Sequence, residues 1–163
     1  MVQLDDKAQM EAVLRSEAVG HLAMAADGEV YLIPINYTYD EGRILFHCAL
    51  EGRKLDMIRA QPNVCFEVSR QDGPPREHQG QPCDPPFVSV ICWGTARVIE
   101  DIPERQEVLT AFQARYSTPQ QTFGPITPER AAACGAVAIT VTRMTGRQAK
   151  GENDARWAWP AED

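Results

Sequence analysis

Apolar residues recur along the chain with two periods, three to four residues in some stretches and two in others, and the switches between them mark the elements. Within 5–17, DDKAQMEAVLRSE, residues Met10, Val13 and Leu14 share one helical face behind aspartates suited to cap it. Strand-like runs follow at 19–25, 29–39 and 43–48, separated by ADG and DEG, both tight-turn sequences, so a β-meander is expected. Residues 52–60 read as a short helix through Leu55 and Ile58, ending before Pro62. In NVCFEV (63–68), Val64, Phe66 and Val68 alternate with Cys65 and Glu67.

Residues 71–86, QDGPPREHQGQPCDPP, read as a long loop of the kind that often carries function. A strand over 87–100 carries Gly94 in its middle, which signals a bulge, a bend or the close approach of another backbone. Asp101, Pro103 and Glu104 have the spacing of a capped helix start, and Val108, Leu109, Phe112 and Tyr116 are its expected buried stripe. After an irregular stretch at 117–130, GAVAITVTRM reads as a last strand, followed by a polar tail (146–163) containing Trp157 and Trp159. Six or more strands joined by tight turns, with three short helices, indicate a mainly β fold: an antiparallel barrel with flanking helices, one domain over 1–163.

Composition narrows the class. With 163 residues, 44% hydrophobic and 24% charged, the chain resembles an ordinary soluble globular domain. A net charge of −7 argues against a broad nucleic-acid surface, so any anion must be held by a local device. No apolar run approaches the ~18–20 residues needed to span a bilayer. The start MVQLDDKAQMEAVL does not resemble a secretory signal, and the five cysteines are odd in number and dispersed. Reduced thiols in a cytoplasm are the expectation. His47, Cys48, His78 and Cys83 lack tight ligand spacing, so no metal is expected.

The local device is FHCALEGRKLD (46–56), which begins as a strand end and finishes as a helix start. A helix N-terminus presents free N–H groups and partial positive charge, and Arg53 and Lys54 would sit in that first turn. A phosphate would reconcile them with the dipole, Arg53 as a fork and Lys54 as a point charge. The plainer alternative is two solvated side chains paired with Glu51 or Asp56. Pro34, in YLIPINYTY, marks an edge strand or a gap in its ladder. His47 is placed to face the anion socket and to be protonated there, or else to bond backbone carbonyls. Cys48 reads as a small hydrophobe, His21 as structural or interfacial, and His78 as a solvated loop residue.

The order IPINYTYDEGRILFHCALEGRKLDMIRAQPNVCFEV, then SVICWGTARVIED, resembles the flavin-binding split barrel of the pyridoxamine 5'-phosphate oxidase-like superfamily, and within it the nitroimidazole-resistance, nitroreductase-like branch. The likeness runs over about residues 10–145. It implies an FMN whose phosphate is held by Arg53 and Lys54. The ring would lie along Ile33, Pro34, Ile35 and Asn36, with Phe46 and His47 beside the ribityl chain or phosphate and Ser89 approaching the flavin. It further implies a homodimer with flavin at the subunit interface, where Trp93, Trp157 and Trp159 are candidates for a cross-subunit wall.

The implied activity is an FMN-dependent oxidoreductase passing electrons from NADH, NADPH or a protein donor to a small acceptor, a nitroaromatic compound among them. The tail GRQAKGENDARWAWPAED lacks the tryptophan–arginine motif of a vitamin B6 oxidase. Relatives of the fold take FAD, deazaflavin or haem, so a flavin or haem carrier or sensor without turnover is the alternative. Neither reading names a catalytic side chain.

Overall fold

The computed structural model describes residues 2–71, 77–78, 81–82 and 85–149. In chain order the elements are β1 (Val2–Leu4), α1 (Lys7–Ser16), β2 (Val19–Ala26), β3 (Glu29–Asn36), β4 (Thr38–Asp40), β5 (Arg43–Cys48), α2 (Arg53–Ala60), β6 (Asn63–Gln71), β7 (Glu77–His78), β8 (Gln81–Pro82), β9 (Phe87–Val98), α3 (Ile102–Tyr116), α4 (Pro128–Ala132) and β10 (Gly135–Ala149). The fold is the expected mainly β split barrel: an antiparallel sheet in the order β3-β2-β6-β9-β10-β5-β4, with β1 beside the far end of β10.

Alternation decides which side of each strand is buried. Leu22 and Met24, Val64, Phe66 and Val68, and Val88, Val90 and Cys92 fill the barrel, where α1 adds Met10, Val13 and Leu14. Asp6 caps α1 by accepting from the Ala8 N–H at 2.8 Å, and Asp101 caps α3 by accepting from the Glu104 N–H at 2.9 Å, as their spacing predicts. Both hairpin turns carry left-handed backbone, at Asp27–Gly28 and Glu41–Gly42.

The expected meander is corrected at its centre. Strand 29–39 breaks at Tyr37: β3 pairs with β2 at one edge of the sheet, and β4 pairs with β5 at the other. One residue thus carries the chain from edge to edge and closes the barrel. Tyr37 is fully buried, set edge-on to Phe66 at 4.8 Å between ring centroids. The break leaves β3 with a free flank, as Pro34 foreshadows.

Three boundaries also differ. The last strand runs on to Ala149, because Gly146–Gln148 pair with Val2–Leu4, a short strand with no pattern of its own. Within the expected loop 71–86, Glu77–His78 pair with Gln81–Pro82. In α3, Val108 and Leu109 are buried, but Phe112 and Tyr116 are only half-buried. Arg105 is buried instead, donating to the carbonyls of Ile99 at 2.8 Å and Ala131 at 3.3 Å and so tying α3 and α4 to the end of the sheet.

Of the bulge, bend or close approach expected at Gly94, the structure shows close approach. A Cβ there would fall 2.3 Å from the Thr140 carbonyl oxygen of β10. The bulge itself lies on β10, at Thr142, whose hydroxyl donates to the Trp93 carbonyl at 3.1 Å.

Candidate functional site

The split at Tyr37 opens a slot. On one side runs the free flank of β3; on the other, Phe46–Cys48 of β5 extend past the last β4 partner, Thr38↔Leu45. Continued in register, Asn36 would have paired with His47; the break holds them apart. Helix α2 begins at the end of this slot.

Its start is built differently from the other helices. Asp6, Asp101 and Thr127 accept backbone N–H groups at the starts of α1, α3 and α4, whereas α2 begins at Gly52 with no side-chain cap. Gly52 has φ 129°, a conformation L side chains rarely adopt. The first-turn N–H groups of α2 are therefore uncapped by any described side chain, and Arg53 and Lys54 stand beside them.

The two cations are held differently. Arg53 bonds Glu29 of β3 at 2.6 Å, and its guanidinium lies 4.8 Å from the centre of the Tyr31 ring. Its partner is neither Glu51 nor Asp56. Lys54 is half-buried with its Nζ 5.4 Å above the Phe46 ring, and no ion pair is formed by it among the described residues. A partly buried ammonium over an aromatic face, without a carboxylate, leaves its three donors open to an incoming anion.

His47 is placed at the slot but turned to its outer side, where its ring meets Phe112 of α3 edge-on at 4.6 Å. Partial burial, and secondarily the charge of Lys54, lower its pKa below the ordinary 6.5. Without an anion, burial thus works against the protonated state, which was expected only beside a bound phosphate. Cys48 is pushed up by burial, which favours the unreactive thiol.

The structure thus brings Arg53 to Glu29 and Tyr31 of β3 and Lys54 to Phe46 of β5, while Phe46 itself is buried in the core and His47 turns outward. Within β3, Ile33 and Ile35 face the core, while Pro34 and Asn36 are exposed. Asn36 also donates to the Ala18 carbonyl at 3.1 Å. Glu29 and Tyr31 join the site unforeseen; their position four and two residues before Ile33 on an alternating strand was the available signal.

Ser89 and Trp93 are not brought to the slot. They lie on the outer face of β9, three strands in from β3, beside a shallow depression of about 590 Å³ that includes Phe87 and Arg147. Trp93 is covered by Arg143, whose guanidinium is 3.7 Å from the ring centre. His21 bonds Glu67 at 3.1 Å on the same face. Trp157, Trp159 and Cys83 lie outside the described residues. No group of three or more metal-ligating side chains occurs among the described residues.

Comparison with known proteins agrees with this fold. A family model described as Pyridoxamine 5'-phosphate oxidase matches residues 6–148. No curated protein matches the chain. Among solved structures, a candidate 5-nitroimidazole antibiotic resistance protein from Bacteroides thetaiotaomicron is 21% identical, with a TM-score of 0.77 over 89% of this chain and 85% of that one. The FAD and haem binding protein from Mycobacterium smegmatis is 18% identical, TM-score 0.78, over 91% of this chain and 74% of that one. An FAD binding protein from Mycobacterium smegmatis is 25% identical, TM-score 0.62, over 92% of this chain and 99% of that one.

Proposed function

Because the chain belongs to the pyridoxamine 5'-phosphate oxidase family, we propose that it binds FMN in the slot between β3 and β5 and works as a flavin-dependent oxidoreductase. The observation that carries this reading is the uncapped start of α2 beside Lys54, which forms no ion pair among the described residues. A phosphate there meets two first-turn N–H groups, Lys54, and Arg53 once it exchanges Glu29. That exchange costs little, since both partners of the pair are exposed and such pairs are worth about 0–1 kcal/mol. The flat ring then lies along the free flank of β3, where backbone groups at Pro34–Asn36 reach its polar edge.

A bound flavin supplies the redox chemistry, which accounts for a site with no nucleophile and base. The chain contributes anchoring at α2, orientation along β3 and a neutral His47 at one side. Electrons would come from NADH, NADPH or a protein donor and go to a small acceptor; the similarity to the Bacteroides protein makes nitroaromatic compounds the first to try.

The protein acts as a homodimer in this reading. The outer sheet face supports it: Leu32, 59% exposed, stands in one row with Ala23, Cys65 and Trp93, and Val30, 77% exposed, lies next to it on the same face of β3. Pairing through that face would bring Ser89 and Trp93 of one copy toward the other's slot. No described helix is long and apolar enough to cross a membrane, and a cytoplasmic enzyme is the setting proposed.

A flavin or haem carrier without turnover is the second reading, favoured by the neutral imidazole of His47 and by the similarity to the Mycobacterium FAD and haem binding protein. One experiment separates them: an absorbance spectrum of purified protein, followed by anaerobic NADH or NADPH. A flavin spectrum bleached by the donor supports the enzyme. A flavin inert to both donors, or a Soret band, supports the carrier, and a protein that takes up neither group refutes both.

A further inference from the structure

We propose that the cavity on the outer side of His47 binds a flat aromatic compound carrying an oxygen acceptor, stacked between Phe112 and Phe123. The cavity measures about 370 Å³, within the ~300–1,000 Å³ range of small-molecule sites. Its floor is aromatic and apolar: Phe112 lies 4.7 Å from Tyr116 between ring centres, with Leu109 and Ile126 beside them. This is where the two half-buried members of the α3 stripe point. They face a cavity in place of the core.

The fourth wall is the irregular stretch 117–127, and it is deliberately anchored. Gln106 donates to the Ile126 carbonyl at 2.8 Å and Gln113 to the Gly124 carbonyl at 3.0 Å. Arg130 donates to the carbonyls of Gly124 at 3.0 Å and Pro125 at 2.8 Å. Side chains from two helices thus hold the loop over an apolar floor, which a collapsed surface loop would not require.

The polar lining sets the ligand's chemistry. His47, the second amide N–H of Gln113 and the Nε and Nη2 groups of Arg130 can donate hydrogen bonds, and no described carboxylate lines the cavity. Aromatic walls with donors at the rim suit a planar ring bearing a carbonyl, nitro or carboxylate oxygen, and they disfavour an amine. The chain's net charge of −7 works against anions at long range, so a preference for them here reports the local lining. His47 is shared between this cavity and the slot. On the flavin reading, which this deepens, the occupant is the electron acceptor; binding itself rests on the cavity alone.

The test uses purified full-length protein, calorimetric titration at pH 7.5 with 2-naphthoate, and 2-naphthylmethylammonium as a cation of the same shape. FMN affinity is measured separately by flavin fluorescence. The naphthoate should bind at least tenfold more tightly than the amine. Ala133→Trp, which fills the cavity from its lining, should weaken naphthoate at least tenfold with FMN affinity unchanged, and Phe123→Ala should weaken it severalfold. Equal binding of the two probes overturns the proposal, as does unchanged naphthoate affinity in Ala133→Trp. Joint loss of FMN and naphthoate in folded Ala133→Trp overturns it too, since the two would then share one site. If Ala133→Trp does not fold, unchanged naphthoate affinity in Phe123→Ala is decisive against it. Failure of the flavin reading looks different: FMN is not bound while naphthoate is.

Discussion

The phenol of Tyr37 donates to the carbonyl of Leu14 at 2.5 Å, joining the residue that splits the barrel to the last turn of α1. That carbonyl is one of the acceptors a helix end leaves without an intrahelical partner. From the other side, the Tyr116 hydroxyl donates to the Tyr37 carbonyl at 2.9 Å, and Arg115 donates to the Glu17 carbonyl at 2.6 Å. The crossing point is therefore fixed by hydrogen bonds from two helices. Tyr37→Phe keeps the ring against Phe66 and strands a buried acceptor, which costs about 1–3 kcal/mol. Urea unfolding should show a lower midpoint with an unchanged slope.

Replacing Arg53 and Lys54 together with alanine removes two charge-assisted contacts to the proposed phosphate. At ~1.5–3 kcal/mol each, FMN affinity should fall by about 100-fold or more. Glu29→Gln should act in the opposite direction, because it releases Arg53 and removes a carboxylate from beside the phosphate. A gain of up to about fivefold is expected from the ~0–1 kcal/mol of an exposed pair. Both are read by titrating apoprotein with FMN. Unchanged affinity in the double variant would place the phosphate elsewhere.

His47 makes stability depend on pH. Its pKa in the fold lies below the ordinary 6.5, through burial first and Lys54 second. Above that value it is neutral in both folded and unfolded chains and contributes nothing. As pH falls past 6.5 the unfolded chain binds a proton that the folded one resists, so stability declines and levels off below the folded pKa. Urea midpoints at pH 7.5 and 5.5 should differ less in His47→Gln than in the native sequence.

Much of this arrangement was legible in the sequence, and the parts that were not share a cause. Alternation gave β6 its buried side, and capping residues placed the starts of α1 and α3. Tyr37 continues the inward alternation of Tyr31, Ile33 and Ile35, so nothing local announces that β3 and β4 leave for opposite edges; pairing partners decide that. Likewise Val2–Leu4 form a strand only because β10 is long enough to receive them. At the site, Arg53 and Lys54 were readable from the helix start. The choice of Glu29 as Arg53's partner, and the cavity facing Phe112, depend on residues far apart in the chain. Arg105 was missed because carbonyls at the end of the sheet, not its own pattern, let a charged side chain be buried.

Gly94 tests the packing of the central strand. It is held between Val64 of β6 and Val141 of β10, and an added methyl group would meet the Thr140 carbonyl, a backbone atom that cannot rotate away. Gly94→Ala should cost the upper end of the ~1–3 kcal/mol typical of overpacking, or more. Thermal unfolding is the measurement, and a melting temperature equal to the native one would mean that β9 and β10 can separate without cost.

The outer face of the sheet makes the last prediction. Leu32, Ala23, Cys65 and Trp93 stand in one row through the pairings of β3, β2, β6 and β9, ending at Arg143. No described helix covers this row, and Leu32 and Val30 are among the most exposed large apolar side chains of the chain. A contiguous apolar surface of this kind is seldom left to water. Light scattering should therefore give twice the chain mass of 18.1 kDa. Val30→Glu combined with Leu32→Glu places charges on an edge strand without touching the core, so the monomer should stay folded while the dimer dissociates. If Ser89 and Trp93 complete the partner's flavin site, FMN affinity should fall with dimerisation, although Arg53 and Lys54 are intact. A variant that is monomeric yet binds FMN as tightly as the native protein would confine the site to one chain's slot.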